Sequence, residues 1–303
     1  MADNWRTRRE RGSVGMIRLI IWLALHAGRA LCRVLLVPIC FYFLVTAPSA
    51  RRSSQDFLTR ARQHPAGWHD TFMHLFVFAT TLLDRVFLLH GRRGKLEISV
   101  TNEAVFWDAL AGGRGCLLMG SHLGSFEMLG VIGSEEKHLA VNMVMHVDED
   151  ARLARLIRGK DMALPYRVIP LGNPGSMLQV KECMDRGEVV GILADRVFAD
   201  EPTQSVSFLG SPARFSLSPL RLARITGVPV VTVFGIFRGA NKYEIVFELL
   251  AQRVGTESLA TSLPADDVDI PVNQCLATYV SILEQQARLH PYNWFNFYDY
   301  WSA

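Results

Sequence analysis

Short, mostly apolar segments alternate along this chain with stretches of helical periodicity. Cys116 to Gly120, Val189 to Leu193 and Val228 to Phe237 are typical of buried strands. Between them, Ala151 to Met162 and Ser176 to Arg186 have the spacing of helices. Strands that alternate with helices of about 10 to 15 residues favour a sheet with helical cover. The sequence therefore predicts an α/β fold with a mixed, mostly parallel central sheet.

Other segments extend the same pattern. Apolar residues recur at helical spacing from Phe57 to Leu89, and Gln274 to Leu289 predicts a closing helix. Tyr243 to Leu250 predicts an antiparallel neighbour for the strand that begins at Val228. The remaining predicted elements are strands at Leu96 to Thr101, Leu139 to Met145 and Arg167 to Leu171, and helices at Asn102 to Ala111 and Phe126 to Ile132.

The N-terminus differs from the rest of the chain in charge. Residues 1–65 hold eleven Lys and Arg against three Asp and Glu, a net charge of +8, whereas residues 66–303 carry −5. Because the basic excess belongs to the N-terminus, we expect no nucleic-acid partner for the body of the protein.

An apolar stretch from Val14 to Ala47 accompanies this basic excess. Its charge-free window, Val34 to Ala47, is 14 residues long, whereas a helical span needs roughly 20. The window lengthens if Arg33 reaches the headgroups, and Pro38 is expected to kink or break a helix there. We expect residues 1–50 to anchor the protein, as one marginal span or a helical hairpin, with residues 51–303 on the cytoplasmic side. A buried core helix with a solvated tail is the alternative.

A histidine and a glutamate flank the turn after the predicted strand Cys116 to Gly120. His122 lies where reactive side chains collect in open α/β sheets, and Glu127 lies in the next helix. A carboxylate that fixes the tautomer of an imidazole leaves the other ring nitrogen as a general base. The small residues Ser121 and Gly124 would let a substrate carbonyl approach the backbone.

Three other kinds of site fit this turn less well. A serine hydrolase would have GxSxG, but here the serine follows the first glycine directly. A dinucleotide site would have GxGxxG, and a metal site would need more ligands than His146 and Asp148 offer. A histidine and a glutamate five residues apart are by themselves typical of an ordinary surface pair.

The neighbouring motifs add a family resemblance. His-x4-Glu after a short strand resembles the His-x4-Asp/Glu glycerolipid acyltransferase superfamily, and the whole is similar to the lipid A biosynthesis (lauroyl/myristoyl) acyltransferase family. The resemblance runs from about Pro38 to Trp301. Its further motifs are Arg158, Gly187 to Arg196 with Asp195 near its end, Phe208 to Ala213, and Leu222 to Val231 with its Gly-Val-Pro-Val-Val ending.

The resemblance implies the fold of glycerolipid acyltransferases and an O-acyltransferase activity. The donor would be a thioester of acyl carrier protein or CoA, and the acceptor a hydroxyl of a lipid or glycolipid at the cytoplasmic face of the bacterial inner membrane. His122 would be the general base and Glu127 would orient it. Backbone N–H groups of the turn or Arg158 would stabilise the oxyanion, with Asp195 and Arg196 in support. No cofactor and no metal are expected.

Two departures leave the acceptor open. Asp195-Arg196 stands where lipid A enzymes usually have Asp-Gln or Asp-His, and the chain ends in the aromatic segment Pro291 to Trp301 instead of a basic one. That ending looks like the branch of the family found with aryl-polyene and related glycolipid pathways, although it is equally consistent with a packed C-terminal cap. A thioester hydrolase and a non-catalytic lipid-binding membrane protein remain the alternative functions.

Overall fold

The computed structural model describes residues 21–22, 25–26, 28–91, 96–126, 128, 139–145, 166–171, 175–198, 201–255 and 270–302. The predicted helix from Ala151 to Met162 and most of the predicted helix from Phe126 to Ile132 lie outside these residues. So do Glu127 and Arg158.

A seven-stranded sheet forms the centre of the protein. Its strands are β1 Glu97–Thr101, β2 Cys116–Gly120, β3 Val141–Met145, β4 Arg167–Pro170, β5 Val189–Leu193, β8 Val230–Gly239 and β9 Lys242–Ala251. They lie in the order β1-β9-β8-β2-β5-β3-β4, and neighbouring strands are parallel except β8 and β9, which pair antiparallel. The predicted α/β fold with a mixed, mostly parallel sheet is thereby confirmed.

Side chains of β2 alternate between two apolar clusters, as the two-residue period of a strand requires. Leu117 and Met119 belong to a large cluster, whereas Cys116 and Leu118 belong to a second, smaller cluster. Because both faces are covered, β2 is buried along its whole length. The continuous apolar run in the sequence reflects this double burial.

The α-helices with defined bounds among the described residues are α1 Arg29–Thr46, α2 Pro48–Arg62, α3 Trp68–Leu89, α4 Glu103–Leu110, α5 Ser176–Asp185, α6 Ser218–Thr226 and α7 Val272–Leu289. The helical periodicity from Phe57 to Leu89 is divided between α2 and α3. Gln63 takes a left-handed conformation with φ 58° at the end of α2, and Pro65 and Gly67 follow it. Spacing of apolar residues does not reveal such a break, since both helices carry apolar residues at helical spacing.

Two small additions complete the described part of the chain. Strands β6 Thr203–Phe208 and β7 Ser211–Ser216 form an antiparallel hairpin, and β10 Val254–Gly255 pairs with β11 Ile270–Pro271. The sequence interpretation did not predict the hairpin. Its two strands are joined by Leu209 and Gly210, both with positive φ.

One face of helix α1 packs against the rest of the protein, and the other face is exposed. Cys32, Leu36, Cys40 and Leu44 are buried, and the first three share an apolar cluster with residues of α3. Val34 and Phe41, with relative exposures of 65% and 59%, lie on the open side. The helix continues through Pro38, contrary to the expected break; Pro38 is itself exposed.

Both α1 and α3 are long and apolar enough to cross a membrane. They differ in burial, since 22% of the apolar window of α1 but 56% of that of α3 lies inside the protein. The predicted domain boundary at residue 50 falls in the first turn of α2. The division into an anchor and a body stays a prediction.

Candidate active site

The sheet register brings two residues of the predicted site together. Strands β2 and β5 are parallel neighbours, with Gly120 paired to Leu193 at their carboxyl ends. His122 follows Gly120 by two residues, and Asp195 follows Leu193 by the same number. The two side chains therefore leave the sheet side by side, at the edge where open α/β sheets bind their ligands.

His122 and Asp195 form a direct pair. The Nδ1 atom of His122 lies 2.8 Å from Oδ1 of Asp195, and the backbone N–H of His122 donates to Oδ2 at 3.0 Å. The Asp195 side chain is completely buried, whereas that of His122 is 25% exposed. The pair thus joins an inner carboxylate to an imidazole that reaches the surface.

Asp195 is ionised at neutral pH. Burial raises the pKa of this carboxyl, but the adjacent His122 ring, the charge of Arg196 and the backbone N–H of His122 outweigh that effect and bring the pKa to about 2. An ionised carboxylate only accepts hydrogen bonds, so Nδ1 of His122 is the donor. In the neutral ring the lone pair is then on Nε2, which is the form a general base requires.

The backbone N–H groups of the turn are engaged within the protein. Those of His122, Leu123, Gly124 and Ser125 donate to Asp195 Oδ2, Ser121 Oγ, the Asn293 carbonyl and the Gly235 carbonyl, respectively. The sequence suggests backbone N–H groups of this turn as oxyanion donors, and this role stays a prediction. The same bonds hold the turn to the neighbouring β8 strand and to the C-terminal segment.

Gly124 has a structural reason to be glycine. Its φ is +78°, and a Cβ at this position would overlap the Gly235 carbonyl oxygen. Ser121 is buried, and its hydroxyl accepts a hydrogen bond from Leu123 N–H. Both residues therefore shape the turn that carries His122, by contacts within the protein.

Arg196 faces the C-terminal segment. Its Nε donates to Asn296 Oδ1 at 2.8 Å, its Nη2 donates to the Phe295 carbonyl at 3.2 Å, and its guanidinium carbon lies 5.9 Å from the centre of the Tyr298 ring. The charge of Arg196 also helps to lower the pKa of Asp195. The structure thus brings together His122, Ser121, Gly124, Asp195 and Arg196.

Two residues near Asp195 were missed by the sequence interpretation. Trp294 Nε1 and Asn296 Nδ2 both donate to Asp195 Oδ2, at 3.0 and 2.8 Å. Their separation of about 100 positions from Asp195 hides this contact from any local motif. The only signal in the sequence was the mixture of aromatic and amide side chains in the segment Pro291 to Trp301.

No group of three or more His, Cys, Asp or Glu side chains is arranged to hold a metal ion among the residues that the structure describes. The His122–Asp195 pair can bind and release a proton at a partly open position. This chemistry suits activation of a hydroxyl, with Asp195 stabilising the imidazolium that forms.

Comparison with known proteins gives the family. A family model for bacterial lipid A biosynthesis acyltransferases matches residues 72–302. The match covers more than half of the chain and includes His122, Asp195 and the C-terminal segment. The chain therefore belongs to this family of lipid-biosynthesis acyltransferases.

A phosphatidylinositol mannoside acyltransferase of Mycolicibacterium smegmatis is similar to part of the chain. The two proteins are 25% identical over 179 residues, which is 58% of this chain and 58% of the relative. The chain therefore spans somewhat more than half the length of that curated relative.

Proposed function

We propose that this member of the bacterial lipid A biosynthesis acyltransferase family moves a fatty acyl group from a thioester to a hydroxyl of a lipid or glycolipid. The donor would be acyl carrier protein or CoA. The observation that carries the proposal is the His122–Asp195 pair, in which a buried, ionised carboxylate holds Nδ1 at 2.8 Å. This bond directs the basic lone pair of a partly exposed imidazole to Nε2.

The proposed reaction is a direct transfer. Nε2 of His122 takes the proton of the acceptor hydroxyl while the hydroxyl oxygen attacks the thioester carbonyl carbon. The carbon–sulfur bond then breaks, and the thiolate leaves with the proton that His122 carries. No acyl-enzyme forms, so the reaction needs no nucleophilic Ser or Cys.

Arg158 is our candidate donor for the oxyanion. The N–H groups of residues 122 to 125 are already bonded to protein oxygens, and a preformed donor has to be available to the developing charge. Glu127 keeps a supporting role in this proposal, because Asp195 already occupies Nδ1. We therefore expect Glu127→Ala to lose less activity than His122→Ala.

The open face of α1 supports attachment to a membrane. Val34, Val37, Phe41, Tyr42 and Val45 are exposed. Burying one large apolar side chain in an apolar phase stabilises by roughly 1.5 to 3 kcal/mol, so several together give substantial binding. We place the protein at the cytoplasmic face of the bacterial inner membrane, with the buried face of α1 on the body and the open face in lipid.

The acceptor is the finer part of the proposal. The family match supports a lipid A-type glycolipid as one acceptor class, with a lauroyl or myristoyl chain as the proposed transferred group. The name of the relative adds a mannosylated phosphatidylinositol as a second class, and the resemblance of the C-terminal segment to the aryl-polyene branch adds a third.

Reconstitution of the full-length protein in vesicles tests the function. Each acceptor class is supplied with a fatty acyl thioester of acyl carrier protein or CoA, and mass spectrometry follows acylated lipid and free fatty acid. We expect an ester on the acceptor that depends on His122. Free fatty acid regardless of acceptor would indicate a hydrolase instead. Formation of neither acylated lipid nor free fatty acid with any donor and acceptor would favour a lipid-binding protein.

A further inference from the structure

We infer that Trp294 and Asn296 are positioning residues that fix the Asp195 carboxylate and, through it, the His122 ring. The inference rests on the proposed function for its catalytic consequence. The geometry itself concerns the C-terminal segment Pro291 to Trp301, which packs around the His122 turn.

The two oxygens of Asp195 are used differently. Oδ2 accepts three N–H groups: the His122 backbone at 3.0 Å, Trp294 Nε1 at 3.0 Å and Asn296 Nδ2 at 2.8 Å. Oδ1 accepts a hydrogen bond from Nδ1 of His122 at 2.8 Å. Because a carboxylate offers about four acceptor positions, the three donors on Oδ2 hold the group in one rotation. That rotation presents Oδ1 to Nδ1 of His122.

Asn296 links two charges of the site. Its Nδ2 donates to Asp195, and its Oδ1 accepts from Arg196 Nε at 2.8 Å. The two contacts define the orientation of the amide, since only the nitrogen donates and only the oxygen accepts. A side chain of similar size without the donor would leave Oδ2 of the fully buried Asp195 one hydrogen bond short.

Trp294 is held from several sides. Its side chain is fully buried, with the rings of Phe57, Phe208 and Tyr300 centred 4.7, 5.3 and 4.7 Å away. Its backbone carbonyl accepts from His74 Nε2 of α3 at 2.9 Å. An indole N–H fixed in this way is a rigid donor to Asp195.

The same segment also forms backbone hydrogen bonds with the turn that carries His122. Phe295 N–H donates to the His122 carbonyl and Gly124 N–H donates to the Asn293 carbonyl, both at 2.7 Å. Leu123 and Trp294 form an antiparallel bridge. The backbone that carries His122 and the carboxylate that orients its ring are therefore held by one continuous piece of chain.

Asn296→Leu and Trp294→Phe are the test variants, and Trp301→Phe is the matched control. Trp301 lies in the same aromatic cluster, but its Nε1 donates to the Phe208 carbonyl at 3.2 Å and not to Asp195. We expect kcat to fall about 10- to 100-fold in the two test variants, a part of the factor that a general base supplies. KM should stay within about twofold, and the control should keep its kcat. Loss in all three variants alike would indicate a merely structural role.

The protonation of His122 gives a readout that needs no activity. In ¹⁵N-histidine-labelled full-length protein at a pH where the ring is neutral, with the His122 signal assigned through His122→Gln, we expect the proton on Nδ1. Asn296→Leu should shift part of the population to the other tautomer, whereas Trp301→Phe should not. An unchanged tautomer together with an unchanged kcat would overturn the inference.

Thermal melts of each variant protect the test against misfolding, because kcat is then compared per folded molecule. Normal kcat in folded Asn296→Leu would contradict the inference. A wild-type protein without transfer activity would instead contradict the proposed function, and the tautomer measurement would still decide the positioning role.

Discussion

Asp84 and Asp195 are both completely buried, yet their partners differ in kind. Asp84, on α3, pairs with the guanidinium groups of Arg29 and Arg33 from α1 and accepts from the Tyr243 hydroxyl at 2.8 Å. Asp195 accepts from neutral N–H groups and from one imidazole. Arginine keeps its charge at any physiological pH, whereas histidine gains and loses a proton near neutrality.

The comparison separates anchoring from chemistry. Both arginines lie in the apolar stretch Val14 to Ala47, and the sequence predicts that Arg33 reaches the headgroups. Instead, both pair with Asp84 of α3, and Arg29 also donates to Asn241 between β8 and β9. A buried carboxylate with permanent cations fixes an interface, while one with a partly exposed histidine can support proton transfer.

The largest difference should appear when each aspartate becomes asparagine. In Asp195→Asn we expect kcat for acyl transfer to fall about 100-fold or more, because the amide no longer selects the Nδ1–H tautomer or stabilises the imidazolium. In Asp84→Asn we expect the free energy of unfolding to fall by about 3 to 5 kcal/mol, since two arginines lose their counter-charge.

Thermal melts and steady-state kinetics on both variants measure the loss of stability and the loss of kcat separately. The kcat per folded Asp84→Asn molecule should stay within a few-fold of wild type. If Asp84→Asn lost as much kcat as Asp195→Asn, the assignment of a structural role to Asp84 and a role in proton transfer to Asp195 would be wrong.

The open face of α1 should bind lipid independently of the ion pairs that Asp84 forms with Arg29 and Arg33. Val34→Asp and Phe41→Asp alter exposed side chains, so we expect the membrane-bound fraction in vesicle flotation to fall while the melting temperature is kept. Leu178→Asp is the control, because Leu178 is also 60% exposed but lies on α5. Equal flotation of all three variants and wild type would argue against insertion of this face.

The smallest effect concerns the acid side of stability. The pKa of Asp195 is about 2, below the usual value near 3.9. Because this pKa is depressed, ionised Asp195 contributes roughly 2 kcal/mol to the free energy of unfolding above pH 4. This contribution is lost as the pH falls from about 4 to 2. Urea unfolding of Asp195→Asn should therefore depend less on pH in this window than that of wild type. Glu188→Gln is a useful comparison, since the pKa of Glu188 is also about 2.

The sheet could be predicted from the sequence because β2, β5 and β8 are buried on both faces and read as continuous apolar runs. His122 and Asp195 could be placed at the ends of two strands by their motifs. Their pairing could not, since it depends on the strand order, which puts β5 next to β2 although β3 and β4 intervene in the chain. Trp294 and Asn296 were hidden because they lie about 100 positions from Asp195 in the sequence.

Breaks within elements were also hard to foresee. The continuity of α1 through Pro38 costs one backbone hydrogen bond, and the gap between α2 and α3 begins at the left-handed Gln63. The periodicity of apolar residues is insensitive to one backbone hydrogen bond lost or one left-handed residue gained.

Transfer of a fatty acyl group by wild type and His122→Ala in the same vesicles tests the central claim most directly. A folded His122→Ala protein should form ester on the lipid acceptor about 10² to 10⁴ times more slowly than wild type, and Glu127→Ala should lose less. Near-native turnover by His122→Ala would contradict the account, because no other group in it removes the proton from the acceptor hydroxyl.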